Sequence, residues 1–313
     1  MGKKKFTGVS QFLARFRGWI QAGAALLTNL HLPNFLKGRL YQGAGKTVCV
    51  PGLNCYSCPA ASGACPIGAF QAVVGSSKFS FSYYITGILI LLGVLLGRFI
   101  CGFLCPFGWF QELLHKIPSR KLSTRKLKPL RYLKYAILLV MVFLLPAFLV
   151  NDVGMGDPFF CKYLCPQGVL EGAIPLSLAN SGIRAALGSL FTWKLGILLV
   201  VIVLSVLFYR PFCKWICPLG AFYALLNKVS LVQMKVDQSK CISCGKCARA
   251  CKMDVDVTKS PNHTECIRCG MCVRACPTNA VRFRCGFGTG KQGTVLPEKT
   301  NKQINDIVKE KKS

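Results

Sequence analysis

Cys241-Ile-Ser-Cys244-Gly-Lys-Cys247-Ala-Arg-Ala-Cys251 and, further on, Cys266-Ile-Arg-Cys269-Gly-Met-Cys272-Val-Arg-Ala-Cys276-Pro277 decide how the C-terminal part of this chain folds. Both runs have the spacing C-x2-C-x2-C-x3-C. In such runs the first three cysteines wrap one iron–sulfur cluster and the fourth crosses to the other. The spacing predicts one [4Fe–4S] cluster on Cys241, Cys244, Cys247 and Cys276, and a second on Cys266, Cys269, Cys272 and Cys251. Turns this tight need backbone N–H groups facing sulfur, which Gly245 and Gly270 suit. Lys252 stands where the first run would carry proline, a departure that leaves ligation untouched. The flanking stretches 232–236 and 280–284 read as strands. Residues 231–285 are therefore expected to form an α+β two-cluster ferredoxin domain of bacterial type. A zinc ribbon would use two C-x2-C pairs rather than two runs of four.

Upstream the character changes. The chain has 313 residues, 52% of them hydrophobic, with 19 cysteines and 40 Lys and Arg against 11 acids, a net charge of +29. Such charge suggests nucleic acid or an anionic membrane surface. The long charge-free runs favour the membrane and exclude a soluble nucleic-acid binder. Secreted disulfide scaffolds are also Cys-rich, but they are short and have no spans. Four stretches approach the roughly 20 apolar residues a helix needs to cross a bilayer. They are residues 18–36, interrupted by Gln21, Asn29 and Pro33; 79–97; 135–150, with Pro146 near its end; and 185–209, broken by Lys194. Residues 1–230 are thus expected to be an α-helical membrane domain of about four transmembrane helices. The Lys-rich stretch 286–313 lacks apolar periodicity and is expected to be a disordered tail.

Lys and Arg also set the orientation. They crowd the N-terminal segment (Lys3, Lys4, Lys5, Arg15, Arg17) and the loop from Lys116 to Lys134. The 151–184 segment has only Lys162 and Arg184, beside Asp152, Asp157 and Glu171. A multi-pass cell-membrane protein with both termini cytoplasmic is expected, with 37–78 and 151–184 facing out.

Cys-Pro-x-Gly occurs four times in this region, at Cys65, Cys105, Cys165 and Cys217. Three copies have a partner four residues earlier, Cys101, Cys161 and Cys213; the first is preceded instead by Cys58 and Cys55. On a helix, positions i and i+4 share a face, so each pair is expected to present two sulfurs together before proline re-aims the chain. Two pairs supply the four thiolates of a [4Fe–4S] cluster. Topology assigns Cys101, Cys105, Cys213 and Cys217 to an inner site. Cys161, Cys165, Cys55, Cys58 and Cys65 fall to an outer one, with Cys49 nearby and more thiols than one cluster takes. Disulfides or a four-thiolate zinc site are the alternatives for the outer group. One or two clusters are expected here, beyond the two in the ferredoxin domain.

Other patterns fail. Gly43-Ala44-Gly45-Lys46-Thr47 resembles the end of a phosphate loop, but Leu40 replaces its first glycine. Cys55-Tyr56-Ser57-Cys58 lacks the histidine of a haem-attachment site, and His31, His115 and His263 are too few and too scattered for a bis-histidine haem. His31 reads as an interfacial residue. Cys285 is expected to pack near the ferredoxin strand rather than bind metal. No catalytic acid–base or nucleophile set is evident.

Cys101-Gly-Phe-Leu-Cys105-Pro-Phe-Gly and Cys213-Lys-Trp-Ile-Cys217-Pro-Leu-Gly-Ala, followed by eight ferredoxin cysteines, resemble a known family over residues 80–285. It is the polyferredoxin-like 4Fe–4S membrane proteins. These include the quinol dehydrogenase subunit of periplasmic nitrate reductase, the nitrous-oxide reductase accessory protein and the cytochrome oxidase assembly ferredoxin. Cys161/Cys165 and Asn54–Pro59 depart from the pattern and suggest a separate branch, so the nitrate-reductase partner does not carry over. The resemblance implies electron transfer with clusters on the cytoplasmic side, as a component of an oxidoreductase system with redox protein partners. The expected function is a relay between a cytoplasmic partner and a membrane or extracytoplasmic one. A hydrocarbon core of about 30 Å is too wide for one hop; either the clusters sit within it or a quinone or flavin bridges them. The alternatives are a quinone oxidoreductase subunit without a trans-membrane wire, and an assembly or regulatory ferredoxin for another metalloenzyme.

Overall fold

The computed structural model describes residues 8–76, 82–152 and 154–286. The expected disordered tail lies outside the described residues from position 287 on. The described chain is helical, with a small ferredoxin unit at its C-terminal end.

The first helix, α1, spans Val9–Thr28 and stops at Asn29, whose φ of −130° leaves the helical region. Pro33 follows, locking φ and removing a donor. The apolar stretch 18–36 is therefore not one helix, contrary to the hydropathy reading. The helix instead starts earlier and carries Arg17, which is held by the carboxylate of Glu112. Next come α2 (Pro66–Gly75), α3 (Tyr83–Leu95), α4 (Phe99–Phe103), α5 (Pro106–Leu114), α6 (Pro129–Phe148), α7 (Gly168–Ala179), α8 (Ser189–Leu207), α9 (Pro211–Trp215) and α10 (Pro218–Leu226). Of these, α6 and α8 are long and apolar enough to cross a membrane; α3 has 13 residues. A π-helical stretch at Leu138–Leu144 leads into Pro146 of α6. Proline cannot donate to the preceding turn, and local π geometry is a common accommodation. The outward faces are apolar: Leu139 and Phe148 on α6, Leu199 and Val203 on α8, and Ile90 and Leu91 on α3 are exposed.

In the ferredoxin unit β1 (Val232–Val236) pairs antiparallel with β2 (Val281–Cys285), from Val232 opposite Cys285 to Val236 opposite Val281. Helices α11 (Lys246–Ala250) and α12 (Met271–Ala275) each start on a left-handed glycine, Gly245 at φ 66° and Gly270 at φ 74°. Ser243 and Arg268 are left-handed as well, at φ 52° and 51°, and so are Asp254 and Asn279, at 55° and 56°. Each pair holds the same place in its cysteine run, so the two runs repeat one backbone. Cys285 is exposed at the end of β2, contrary to the packed position expected for it.

The ferredoxin unit is locked onto the helices by buried charge. Arg98 Nη1 lies 2.9 Å and Lys134 Nζ 2.6 Å from the Glu265 carboxylate, all three side chains being almost wholly inaccessible. Lys214 and Arg131 reach Asp254 at 3.2 and 3.4 Å. Arg268 donates to Leu96 O at 2.9 Å, Asn227 O at 2.6 Å and Ser230 Oγ at 2.7 Å. Burial works against the Glu265 charge, but Arg98 and Lys134 overcome it and hold the carboxyl down at about 2. Helix α1 runs alongside. Ser10 Oγ near its start accepts from Phe283 N at 3.1 Å, and Thr28 O at its end accepts from Ser62 N at 3.0 Å. Twenty residues of helix separate these ends by about 30 Å.

Candidate iron–sulfur centres

The structure gathers the ferredoxin thiols around two small cavities. One is lined by Cys241, Cys244, Cys247 and Cys276, the other by Cys251, Cys266, Cys269 and Cys272. These are the crossed quartets that the spacing predicts. In the second cavity Ile267 is 1% exposed, whereas Ile242, at the same place in the first run, is 62% exposed.

A third cavity is lined by Cys101, Cys105, Cys213 and Cys217, with Phe107, Phe212 and Tyr223. The pairs do not meet on one helical face as expected. Cys101 lies in α4, which ends at Phe103, and Cys105 is extended at ψ 115° and caps α5. Cys213 in α9 and Cys217 before α10, at ψ 111°, repeat this. Proline at the first helical position makes this geometry: it needs no N–H there and disfavours helical backbone in the residue before it. The cysteine sulfur then faces the free N–H groups of the next helix, as Cys217 Sγ does with Gly220 N at 3.3 Å.

The outer thiols form a fourth group built on the same plan. Cys65 caps α2 with ψ 124°, and Cys165 is extended at ψ 116° after the π turn Phe160–Leu164, which carries Cys161. The Cys161 thiol interacts electrostatically with those of Cys165, Cys65 and Cys55. A Cβ on Gly68 would contact Cys161 Sγ at 3.6 Å, and one on Gly168 would contact Cys55 Sγ at 3.7 Å. Cys55 thus faces this group. The Cys58 sulfur lies 3.6 Å from Asn29 Oδ1, and the residue packs with Ala60, Ala61, Phe35 and Cys55. Cys49 forms a bridge with Ala64.

Two glutamines, not singled out by sequence, tie the halves of each membrane group together. Gln111 Nε2 donates to Cys213 Sγ at 3.1 Å, and its Oε1 accepts from Phe212 N at 3.2 Å. Gln71 does the same with Cys161 Sγ at 3.2 Å and Phe160 N at 3.0 Å. Both lie six residues after a cysteine, in Cys65-Pro-Ile-Gly-Ala-Phe-Gln71 and Cys105-Pro-Phe-Gly-Trp-Phe-Gln111. That longer repeat was the available signal. Arg210 is a second omission. It is fully buried at φ 51°, pairs with Glu112 at 2.8 Å and donates to Cys101 O, bringing positive charge to the third group. His31 stacks on Tyr41 with centroids 3.7 Å apart, away from these groups.

The donor chemistry fits [4Fe–4S] clusters. Each group offers soft sulfur ligands with amide donors beside them. Among the described residues no group of three or more Cys, His, Asp or Glu side chains converges on a single point. Fold and thiol groups define a ferredoxin-type iron–sulfur protein. The chain belongs to the polyferredoxin-like 4Fe–4S proteins: a family described as a 4Fe–4S binding domain matches residues 63–84, 80–125, 134–174 and 190–237, and a second of the same description matches 234–255 and 260–282. The first match spans Cys65, Cys161 and Cys165. The chain is 28% identical to an uncharacterised protein of Methanocaldococcus jannaschii over 55% of its length and 66% of that protein. It is 27% identical to the putative electron transport protein YccM of Escherichia coli, over 54% of this chain and 45% of YccM. To the ferredoxin-type protein NapH of Haemophilus influenzae it is 26% identical, over 56% and 54%. The chain therefore spans between 45% and 66% of these relatives' own lengths. No solved structure matches it significantly.

Proposed function

We propose that this chain is a membrane-embedded electron relay holding four [4Fe–4S] clusters in line. The ligand sets are Cys241/Cys244/Cys247/Cys276, Cys251/Cys266/Cys269/Cys272, Cys101/Cys105/Cys213/Cys217 and Cys55/Cys65/Cys161/Cys165. Bound there, the clusters supply one-electron redox chemistry, and no acid–base residue is required. The single observation that carries this reading is contiguity. The loop of the second ferredoxin group lies against the third group, where a Cβ on Gly102 would come within 2.3 Å of Ile267 O. The third group in turn touches the segment leading to Cys55 and Cys65, with a Cβ on Gly52 falling 2.8 Å from Cys105 Cα. Steps this short remove the obstacle that a hydrocarbon thickness of about 30 Å would pose to one hop.

In this reading residues 1–230 form the membrane unit, 231–285 the ferredoxin domain and 286–313 a basic tail. Helices α1, α3, α6 and α8 make four crossings, leaving both ends of the described chain on the cytoplasmic side. The contacts of Ser10 and Gln11 with Phe283 and Asn279 support a common side. The apolar belt supports a bilayer setting, since soluble monomers rarely expose wide contiguous apolar surface. Redox proteins would exchange electrons at the ferredoxin end and at the outer end, in keeping with the likeness to YccM, a putative electron transport protein, and NapH, a ferredoxin-type protein. Anaerobic iron and sulfide analysis with EPR spin counting tests the proposal. About sixteen irons per chain, four in each [4Fe–4S] cluster, is the expected result; about eight would leave only the ferredoxin pair and overturn it.

A further inference from the structure

The segment from Pro51 to Asn54 lies between the two membrane thiol groups and touches both. The Leu53 backbone amide faces the Cys105 sulfur, and the next amide along the chain, that of Asn54, faces the Cys65 sulfur. Gly52 and Leu53 line the cavity of the Cys101 group. A side chain at position 52 would drive into the Cys105 backbone, at 2.8 Å from Cys105 Cα and 3.1 Å from Leu104 O. Gly52 to Asn54 are buried, with Leu53 2% and Asn54 0% exposed. A fully buried polar strand needs its groups paired, and each end is tied. Val50 N donates to Ala64 O at 3.0 Å, directly before Cys65. The Asn54 amide donates to Thr28 O and Asn29 Oδ1, both at 3.2 Å.

Tyr223 holds the middle. Its ring lines the Cys101 cavity, and its hydroxyl donates to Pro51 O at 3.0 Å. Its neighbours include Cys101 and Cys105 of one group and Cys65 of the other. It also stands six residues after Cys217, the place taken by Gln71 and Gln111 after their cysteines. Where those side chains clamp within one group, Tyr223 holds the strand between two.

We propose that Pro51–Asn54, pinned by Tyr223, is the built coupling element between the two membrane centres. Successive amides of one segment face sulfurs of two different groups, so the segment both sets their potentials together and provides the short path between them. One electron leaves one centre and enters the other, with no proton transferred. Tyr223 acts here as a positioning residue. This inference rests on the four-centre reading above.

The test uses the full chain, purified anaerobically in detergent, with iron content, EPR redox titration and low-temperature EPR of the fully reduced protein. Wild-type protein with about sixteen irons is expected to give spin–spin splitting between the two membrane centres. Tyr223→Phe keeps the ring and removes the donor. It should leave the iron content unchanged and shift both membrane potentials in the negative direction, because sulfur loses hydrogen-bond support. The two ferredoxin potentials should stay put. Gly52→Ala, which pushes the strand from Cys105, should shift the same two potentials and diminish the splitting. Unchanged potentials in both variants, a shift confined to one centre, or no splitting in the wild type would overturn the coupling role while leaving the relay intact. About eight irons in the wild type would overturn the relay itself, and the coupling with it.

Discussion

Gln71 donates to the Cys161 sulfur at 3.2 Å across two segments ninety residues apart in sequence. Gln111 and Cys213 repeat the contact at 3.1 Å. A neutral amide aimed at a thiolate stabilises its negative charge most when the cluster is reduced and most negative. Gln111→Leu should therefore move the Cys101 centre to a more negative potential. A hydrogen bond worth about 0.5–1.5 kcal/mol corresponds to on the order of 20–60 mV for one electron. Gln71→Leu should do the same at the outer centre only. Redox titration followed by EPR separates the two, and equal shifts at all centres would contradict the local assignment.

Cys55 and Cys58 differ in what their sulfurs meet: that of Cys55 lies beside Gly168, that of Cys58 beside Asn29. Cys55→Ser should cost the chain about one cluster, four irons, with the ferredoxin signals retained. Cys58→Ser and Cys49→Ser should keep the full iron content. Loss of a cluster in Cys58→Ser but not in Cys55→Ser would reverse the assignment, and iron, sulfide and spin counting reads it directly.

Glu265 is the counter-charge for two buried cations. Glu265→Gln leaves Arg98 and Lys134 without compensation, and breaking a buried pair from one side typically costs about 3–5 kcal/mol. The variant is expected to unfold at lower temperature and to lose hydrogen-exchange protection around residues 254–268 while the helices keep theirs. Asp254→Asn should follow the same course more mildly, because Asp254 retains some solvent contact.

Leu199 and Val203 are 55% and 59% exposed on α8 and pack against little of the protein. In a bilayer, arginine near a helix centre costs about 2.5–3.5 kcal/mol. Wild-type protein should remain with membranes after an alkaline wash. The double change Leu199→Arg, Val203→Arg should release a large fraction without unfolding the ferredoxin unit. Equal retention of both forms would argue against α8 lying in lipid.

Local spacing made the ferredoxin unit legible from sequence. Every ligand set there follows from counting residues, and the glycines that begin α11 and α12 announce their turns. The left-handed backbone at Ser243, Arg268, Asp254 and Asn279 was hidden, because those residue types do not demand it. For the membrane groups the cysteines were visible but their geometry was not. An i, i+4 spacing suggested one helical face, whereas proline breaks the helix between the two sulfurs and turns the second into a cap. Span boundaries at residues 18–36 failed for a related reason. Hydropathy favours the charge-free stretch, but part-buried Glu112 pairs with Arg17 and accommodates its charge within α1, which begins earlier. Long-range partners such as Gln71 with Cys161, or Tyr223 with Pro51, leave only a faint repeat in the sequence.

The two matching turns of the ferredoxin unit have unlike fates: Ile267 is buried against Gly102, while Ile242 stands in the open. A free-standing ferredoxin presents both of its lobes to whatever it meets and carries charge by diffusing. Here one lobe is covered by the helices, so in the proposed relay the unit would work as a fixed socket, not a shuttle. In that reading a soluble donor or acceptor would meet the exposed Ile242 turn, beside exposed Lys240, Lys246 and Arg249, and its arrival and residence would set the rate of exchange. An acidic rim around an apolar spot is the shape such a visitor would need.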